Sequence, residues 1–278
     1  ISNHIVFNSL SQFELYKNKT LPNNSIGLRI KPECSTVDVD LYNPCGTNSR
    51  LGITKKEFKK NLPSSIEGFH FHALCEQNVD ALKLVLDKFE ENFKHYFKDL
   101  KWINFGGGHH ITRKDYDVDG LIILLKEFKE KYPHLKIYLE PGEAIGWQTG
   151  YLEATVLDIV QNGMSIAILD TSAECHMPDT LAMPYRPNIL NSEEANIKKH
   201  TYKLAGNTCL AGDIIGDYSF DDELNIGDKI ILEDMIHYTM VKTTTFNGIN
   251  LPSIAIKRKN GDYTIVRDYN YSSYKDRL

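Results

Sequence analysis

Trp102-Ile103-Asn104-Phe105-Gly106-Gly107-Gly108-His109-His110 reads as a short apolar strand that stops abruptly on three glycines and two histidines. The same pattern recurs on either side. Upstream, Glu67–Phe71 is a strand ending in His70-Phe71-His72; downstream, Lys136–Leu139 ends in Glu140-Pro141-Gly142-Glu143. Ile26–Ile30 is a further strand of this kind, and Ile5-Val6-Phe7 reads as a short buried strand running into a helix. Between them, Asn78–Phe97 repeats apolar residues at spacings of three and four (Val79, Leu82, Val85, Leu86, Phe89, Phe93, Phe97), and residues 118–132 do so with Leu121, Leu124, Leu125 and Phe128. Strand and helix alternating through short joins imply a parallel sheet with right-handed crossovers, and repetition this regular favours a (β/α) barrel over an open sheet.

After about residue 150 the pattern changes. Tyr151–Val160, Ser165–Asp170, Lys229–Glu233, Ile254–Lys257 and Tyr263–Arg267 read as strands without long helices between them, punctuated by Asn162-Gly163, Gly227-Asp228 and Asn260-Gly261 turns. The expected organisation is a barrel portion lacking its first strands over residues 1–150, then a mostly antiparallel β domain over 151–278. Residue 1 is Ile, and a chain seldom opens inside an α/β unit, so a preceding segment is expected.

Composition sets broad bounds. The chain has 278 residues, a net charge of −5, 41% hydrophobic and 25% charged residues, which suits a soluble globular protein and argues against a basic nucleic-acid surface. Five widely spaced cysteines (Cys34, Cys45, Cys75, Cys175, Cys209) form no C-x-x-C pair, which argues against a disulfide framework or zinc knuckle and for a reducing, cytoplasmic setting. No apolar run is long enough for a membrane span.

In a barrel, functional groups gather at strand C-termini, so His72, the three glycines and Glu140 share one mouth. Three glycines allow either a flexible turn or a close approach of phosphate to bare N–H groups. His70-Phe71-His72, with His110, allows a divalent-metal site of a barrel hydrolase as an alternative.

His72, Gly106-Gly107-Gly108 and Glu140-Pro141-Gly142, in this order, resemble the cofactor site of fold-type III decarboxylases, the ornithine and diaminopimelate decarboxylase superfamily. The resemblance covers essentially the whole chain. It implies pyridoxal 5'-phosphate, with His72 stacked on its ring, Glu140 against the pyridine nitrogen, and phosphate contacts from Gly106, Gly107, Gly108, Gly142 and Tyr238. Arg50, in Ser49-Arg50-Leu51-Gly52, would reach the cofactor from an earlier strand, and Cys209, in Gly206-Asn207-Thr208-Cys209, would be the proton donor. It also implies a homodimer with shared active sites. The strings His72-Ala73-Leu74-Cys75-Glu76 and Glu140-Pro141-Gly142-Glu143-Ala144 depart from the ornithine and diaminopimelate pattern and resemble the carboxynorspermidine decarboxylase branch. Substrates there are carboxylated polyamines, whose cationic tails want carboxylate partners; Glu143, Asp179 and Asp213 are the candidates. No Schiff-base lysine motif occurs in residues 1–278, so that lysine is expected in a preceding segment. A diaminopimelate, ornithine or arginine decarboxylase, and a non-catalytic relative, are the remaining alternatives.

Overall fold

A computed structural model describes residues 2–58, 62–183 and 185–278. The chain divides into two compact units, Ile1–Ile145 and Gly146–Leu278. The first holds five parallel strands in the order β1-β2-β3-β4-β5: His4–Phe7, Ser25–Arg29, Ile66–His70, Trp102–Asn104 and Lys136–Tyr138. The helices α1 (Leu10–Tyr16), α2 (Val79–Phe93) and α3 (Val118–Lys131) lie between them in sequence. Each helix begins where a polar side chain caps it: Ser9 accepts from the Gln12 N–H, Asn78 from Val79 and Asp117 from Gly120. The helical pattern expected to reach Phe97 is α-helical only to Phe93; residues Lys94–Asp99 tighten into a 3₁₀ helix that still buries Tyr96 and Phe97.

Strand alternation sorts the side chains of this unit onto two faces. On one face Phe69 and Phe71 meet the α2 side chains Phe89 and Phe93, and Phe105 meets Phe128 of α3. Burying each such ring stabilises the fold by about 1.5–3 kcal/mol. On the other face the Trp102 ring covers Gly27 and Gly68, where any Cβ would overlap it. Its Nε1–H donates to Ser25 Oγ (2.8 Å), and the Ser25 hydroxyl donates to Glu67 (2.6 Å), which also pairs with Lys101. This layer fills the N-terminal end of that face, and the polar residues follow at the C-terminal end: Asn8, Arg29, His70, Asn104 and Glu140.

The second unit is a six-stranded sheet, order β11-β6-β7-β9-β10-β8, from Tyr151–Gln161 (β6), Ser165–Leu169 (β7), Glu193–Glu194 (β8), His200–Ala205 (β9), Ile214–Phe220 (β10) and Lys229–Glu233 (β11). Its pairings are antiparallel except β7 with β9. Ile254–Lys257 (β12) and Tyr263–Arg267 (β13) form a separate hairpin. Glycines with positive φ close the turns where sequence placed them, Gly163 at 71°, Gly227 at 97° and Gly261 at 93°. The two-residue β8 and the longer β9 and β10 lie outside the strands expected from sequence; in β10, Gly216 and Asp217 interrupt the apolar pattern and the strand bulges at that point. Their inward residues Tyr202, Leu204, Ile215 and Tyr218 belong to the buried core of this unit.

Candidate active site

At the C-terminal ends of β3, β4 and β5 the chain brings His70, His72, Asn104, the glycine run and Glu140 together. Phe105 N–H donates to Tyr138 O (2.9 Å) and Glu140 N–H to Gly106 O (2.8 Å), so the β4–β5 ladder extends into both loops. The Asn104 amide donates to Glu140 Oε1 (2.7 Å) while its own oxygen accepts the Gly106 N–H (2.9 Å). His70 Nε2 stands 3.5 Å from Glu140 Oε2. Burial pushes the His70 imidazolium down to about 4, outweighing the pull of Glu140. The contact is therefore one between a neutral imidazole and a carboxylate. His70 Nδ1 is buried without a hydrogen-bond partner among the described residues.

The glycines are required by packing. A Cβ on Gly106 would overlap the Phe71 carbonyl, one on Gly107 the Glu140 carbonyl, and one on Gly108 the Leu74 carbonyl; Gly106 and Gly108 also have φ of 72° and 81°. Gly107 N–H donates to His72 Nδ1 (3.0 Å). This contact places any His72 proton on Nε2, and burial lowers the His72 pKa, so the ring is neutral. Two of the three N–H groups expected at a phosphate are thus committed within the chain, to Asn104 and His72. His109 is 1% exposed, beside the backbone of Phe105 and Gly106. Burial lowers its pKa to about 4.

That burial has a measurable consequence. Unfolded histidine titrates near 6.5, so between about pH 6.5 and 4 the unfolded chain takes up protons that native His70 and His109 refuse. Their contribution to stability is complete above 6.5 and falls as pH drops towards 4, by on the order of 2–3 kcal/mol each. We expect the urea midpoint to fall from pH 7 to pH 5, and His109→Leu to flatten that slope.

These groups open on a cleft of about 1390 Å³, lined by Arg29, Lys31, Arg50, His70, His72 and Glu140 together with the loop after β2. Arg29 carries its charge beside Glu140, with burial lowering its pKa. Lys31 Nζ donates to Ser49 O (2.8 Å). Arg29, Lys31 and Asn104 were not singled out in the sequence. Period-two alternation was the available signal, since Arg29 and Asn104 point to the same face as Glu140.

The expected tail carboxylates separate. Glu143, in α4 (Gly142–Gly146), lies with Glu76 and His110, their ligand atoms all within 4.8 Å of one another. That is the one potential metal-ligand set among the described residues, and His70 and His72 are not in it. Asp179 is held by Lys242 Nζ through both oxygens (2.8 and 2.7 Å). Asp213 requires correction. It is 2% exposed; Oδ1 accepts from the Ala173 and Glu174 N–H groups, and Oδ2 from the Thr208 N–H and hydroxyl. With its lone pairs occupied it braces a loop and offers nothing to a ligand. Cys209 is exposed and contacts Asn247 Nδ2, and Tyr238 opens the short helix Tyr238–Val241, half exposed; both lie in the second unit.

Parallel strands with a polar layer at their C-terminal ends, followed by a mostly antiparallel sheet, are the barrel-plus-β-domain class of fold. The chain belongs to the pyridoxal-dependent decarboxylases: the model of that family's C-terminal sheet domain matches residues 13–236. It is 52% identical to carboxynorspermidine/carboxyspermidine decarboxylase of Campylobacter jejuni, over 99% of this chain and 74% of that protein. It is 46% identical to carboxyaminopropylagmatine decarboxylase of Synechocystis, over 100% of this chain and 72% of the relative. The crystal structure of Campylobacter jejuni carboxynorspermidine decarboxylase complexed with norspermidine superposes with a TM-score of 0.91 at 50% identity, covering 100% of this chain and 75% of that one.

Pyridoxal phosphate needs an anion at its ring nitrogen, a flat side chain against its ring, and cations or N–H groups at its phosphate. The cleft supplies a half-exposed Glu140 carboxylate, a neutral His72 imidazole fixed by Gly107, and Arg29, Lys31 and Arg50 on its walls. The residues fit the cofactor. Among the described residues no helix is long and apolar enough to cross a membrane.

Proposed function

We propose that this chain decarboxylates a carboxylated polyamine, carboxynorspermidine or carboxyspermidine, to norspermidine or spermidine in a cytoplasmic polyamine pathway. The observation that carries the reading is 52% identity to the Campylobacter jejuni enzyme along nearly the whole chain. The 46% identity to the Synechocystis relative favours carboxyaminopropylagmatine as a second reading.

Bound pyridoxal phosphate supplies the sink for the electrons left behind when CO2 departs. The chain's residues hold and tune it. Glu140 keeps a proton on the ring nitrogen, and His72 presents a neutral face to the ring. Arg50, Gly106, Gly107, Gly108, Gly142 and Tyr238 are the proposed phosphate set, with Gly108 N–H rather than those of its two neighbours facing it. Cys209 would return a proton to the substrate α-carbon, from the partner subunit of a homodimer. Glu143 takes the cationic tail; Asp179 would first have to release Lys242. The reading puts the Schiff-base lysine outside these 278 residues, since Lys31, the lysine lining the cleft, is engaged by Ser49. It also places the domain boundary near residue 150.

The test is the visible spectrum of the full-length protein before and after borohydride, then CO2 release from a panel of carboxynorspermidine, carboxyspermidine, carboxyaminopropylagmatine, diaminopimelate and ornithine. A band abolished by borohydride and preference for the first two substrates are expected. Absence of a band with added cofactor, or preference for diaminopimelate or ornithine, overturns the reading. Glu143→Gln should raise KM for the preferred polyamine about tenfold with little change in kcat, the loss of one charge-assisted hydrogen bond; steady-state kinetics checks this.

A further inference from the structure

We infer that Asn104 is a positioning residue that ties Glu140 and the glycine run into one unit and fixes the plane in which the carboxylate meets the cofactor ring. The inference rests on the proposed role of Glu140. Its basis is a closed circuit of hydrogen bonds. The Asn104 amide nitrogen donates to Glu140 Oε1 (2.7 Å), its oxygen accepts from Gly106 N–H (2.9 Å), and Gly106 O accepts from Glu140 N–H (2.8 Å). One short side chain therefore holds the tip of Glu140 while the backbone of the same loop holds its root.

Glu140 needs this. Its side chain is 52% exposed at the mouth of the cleft, where a glutamate with three rotatable bonds would otherwise sample many orientations. Asn104 is itself anchored, because its carbonyl accepts the Phe71 N–H (3.0 Å) and its strand pairs with both β3 and β5. The charged and titratable groups facing the carboxylate are Arg29 from β2, His70 at the end of β3 and His72 beyond it. Both imidazoles are neutral. Asn104 thus supplies the short neutral donor, Arg29 the positive charge, and His70 a longer contact on the second oxygen. A donor on the anion favours its charged form, which a partner for a protonated ring nitrogen requires.

Two substitutions separate the functions of the amide. Asn104→Asp keeps an acceptor for Gly106 N–H, which protects the loop, but replaces the donor to Glu140 with a second carboxylate. Asn104→Ala removes both contacts. In the full-length protein without cofactor, a carbon-13 NMR titration of the Glu140 carboxylate should move upward by about one pH unit or more in Asn104→Asp. In the loaded enzyme, the acid limb of kcat should rise by a similar interval. Asn104→Ala should lower kcat about tenfold to a hundredfold with KM within about threefold, the signature of a misplaced group. An unchanged Glu140 titration together with parental kcat–pH profiles in both variants would overturn the inference. Glu140→Gln, measured in parallel, keeps the two readings apart. If Glu140→Gln is crippled while Asn104→Asp matches the parent, Asn104 has no positioning role. If Glu140→Gln is itself fully active, the assignment of Glu140 falls, and this inference with it.

Discussion

Glu140→Gln is expected to lower kcat by about a hundredfold or more while leaving KM within a few-fold. Glutamine has the size and shape of glutamate, and its amide oxygen can still accept from Asn104. What it lacks is charge. An amide offers no electrostatic reason for a proton to remain on the ring nitrogen, and without that proton the cofactor is a weaker electron sink. Preorganised charge of this kind is typically worth about 10²–10³ in rate. Because the effect concerns electron withdrawal during reaction, it belongs to kcat, and substrate binding, which we propose to run through Glu143, should be spared. Steady-state kinetics over a pH series checks it. A variant whose loss lies wholly in KM would instead make Glu140 a substrate-binding carboxylate.

The second large effect concerns the glycine run and is one of stability. Gly108→Ala combines a left-handed φ of 81° with a Cβ that would overlap the Leu74 carbonyl and crowd the Cys75 N–H. The conformational penalty is roughly 1–2 kcal/mol, and displacing backbone adds about 1–3 kcal/mol. We expect a loss of about 2–5 kcal/mol, read as a lower urea midpoint at unchanged m-value. Gly142→Ala is the informative contrast. No atom lies within 4 Å of its added Cβ, and its φ is ordinary. That variant should melt with the parent, so any weakening of cofactor retention would report on phosphate contact alone. Equal stability of Gly108→Ala and the parent would show that the loop after β3 yields easily.

Much of the fold was legible because it rests on local periodicity. The ends of the strands expected from sequence fall within a residue or two of those observed, since turn glycines, helix caps and apolar spacing are short-range signals. The site was legible in outline for the same reason: every strand of a parallel sheet delivers its C-terminal residues to one edge. The misreadings are equally physical. Asp213 is a candidate for the cationic tail by sequence, yet it accepts hydrogen bonds from Ala173, 40 residues away, and from Glu174. The three glycines remain the proposed phosphate cradle, but no local pattern announces that Gly107 N–H turns to His72, 35 residues upstream. Asn104 carries no local signal of a role, because the partner of its amide, Glu140, lies 36 residues on.

The amino-acid sequence by itself determined the alternation of strand and helix, the change to a β-rich second half, and the ordered His72, glycine-run and Glu140 signature of a pyridoxal-dependent decarboxylase. Tertiary structure alone decided which polar groups remain available. A carboxylate or an N–H has a few bonding directions, and whether they face solvent, ligand or protein depends on residues that come close only after the sheet has formed.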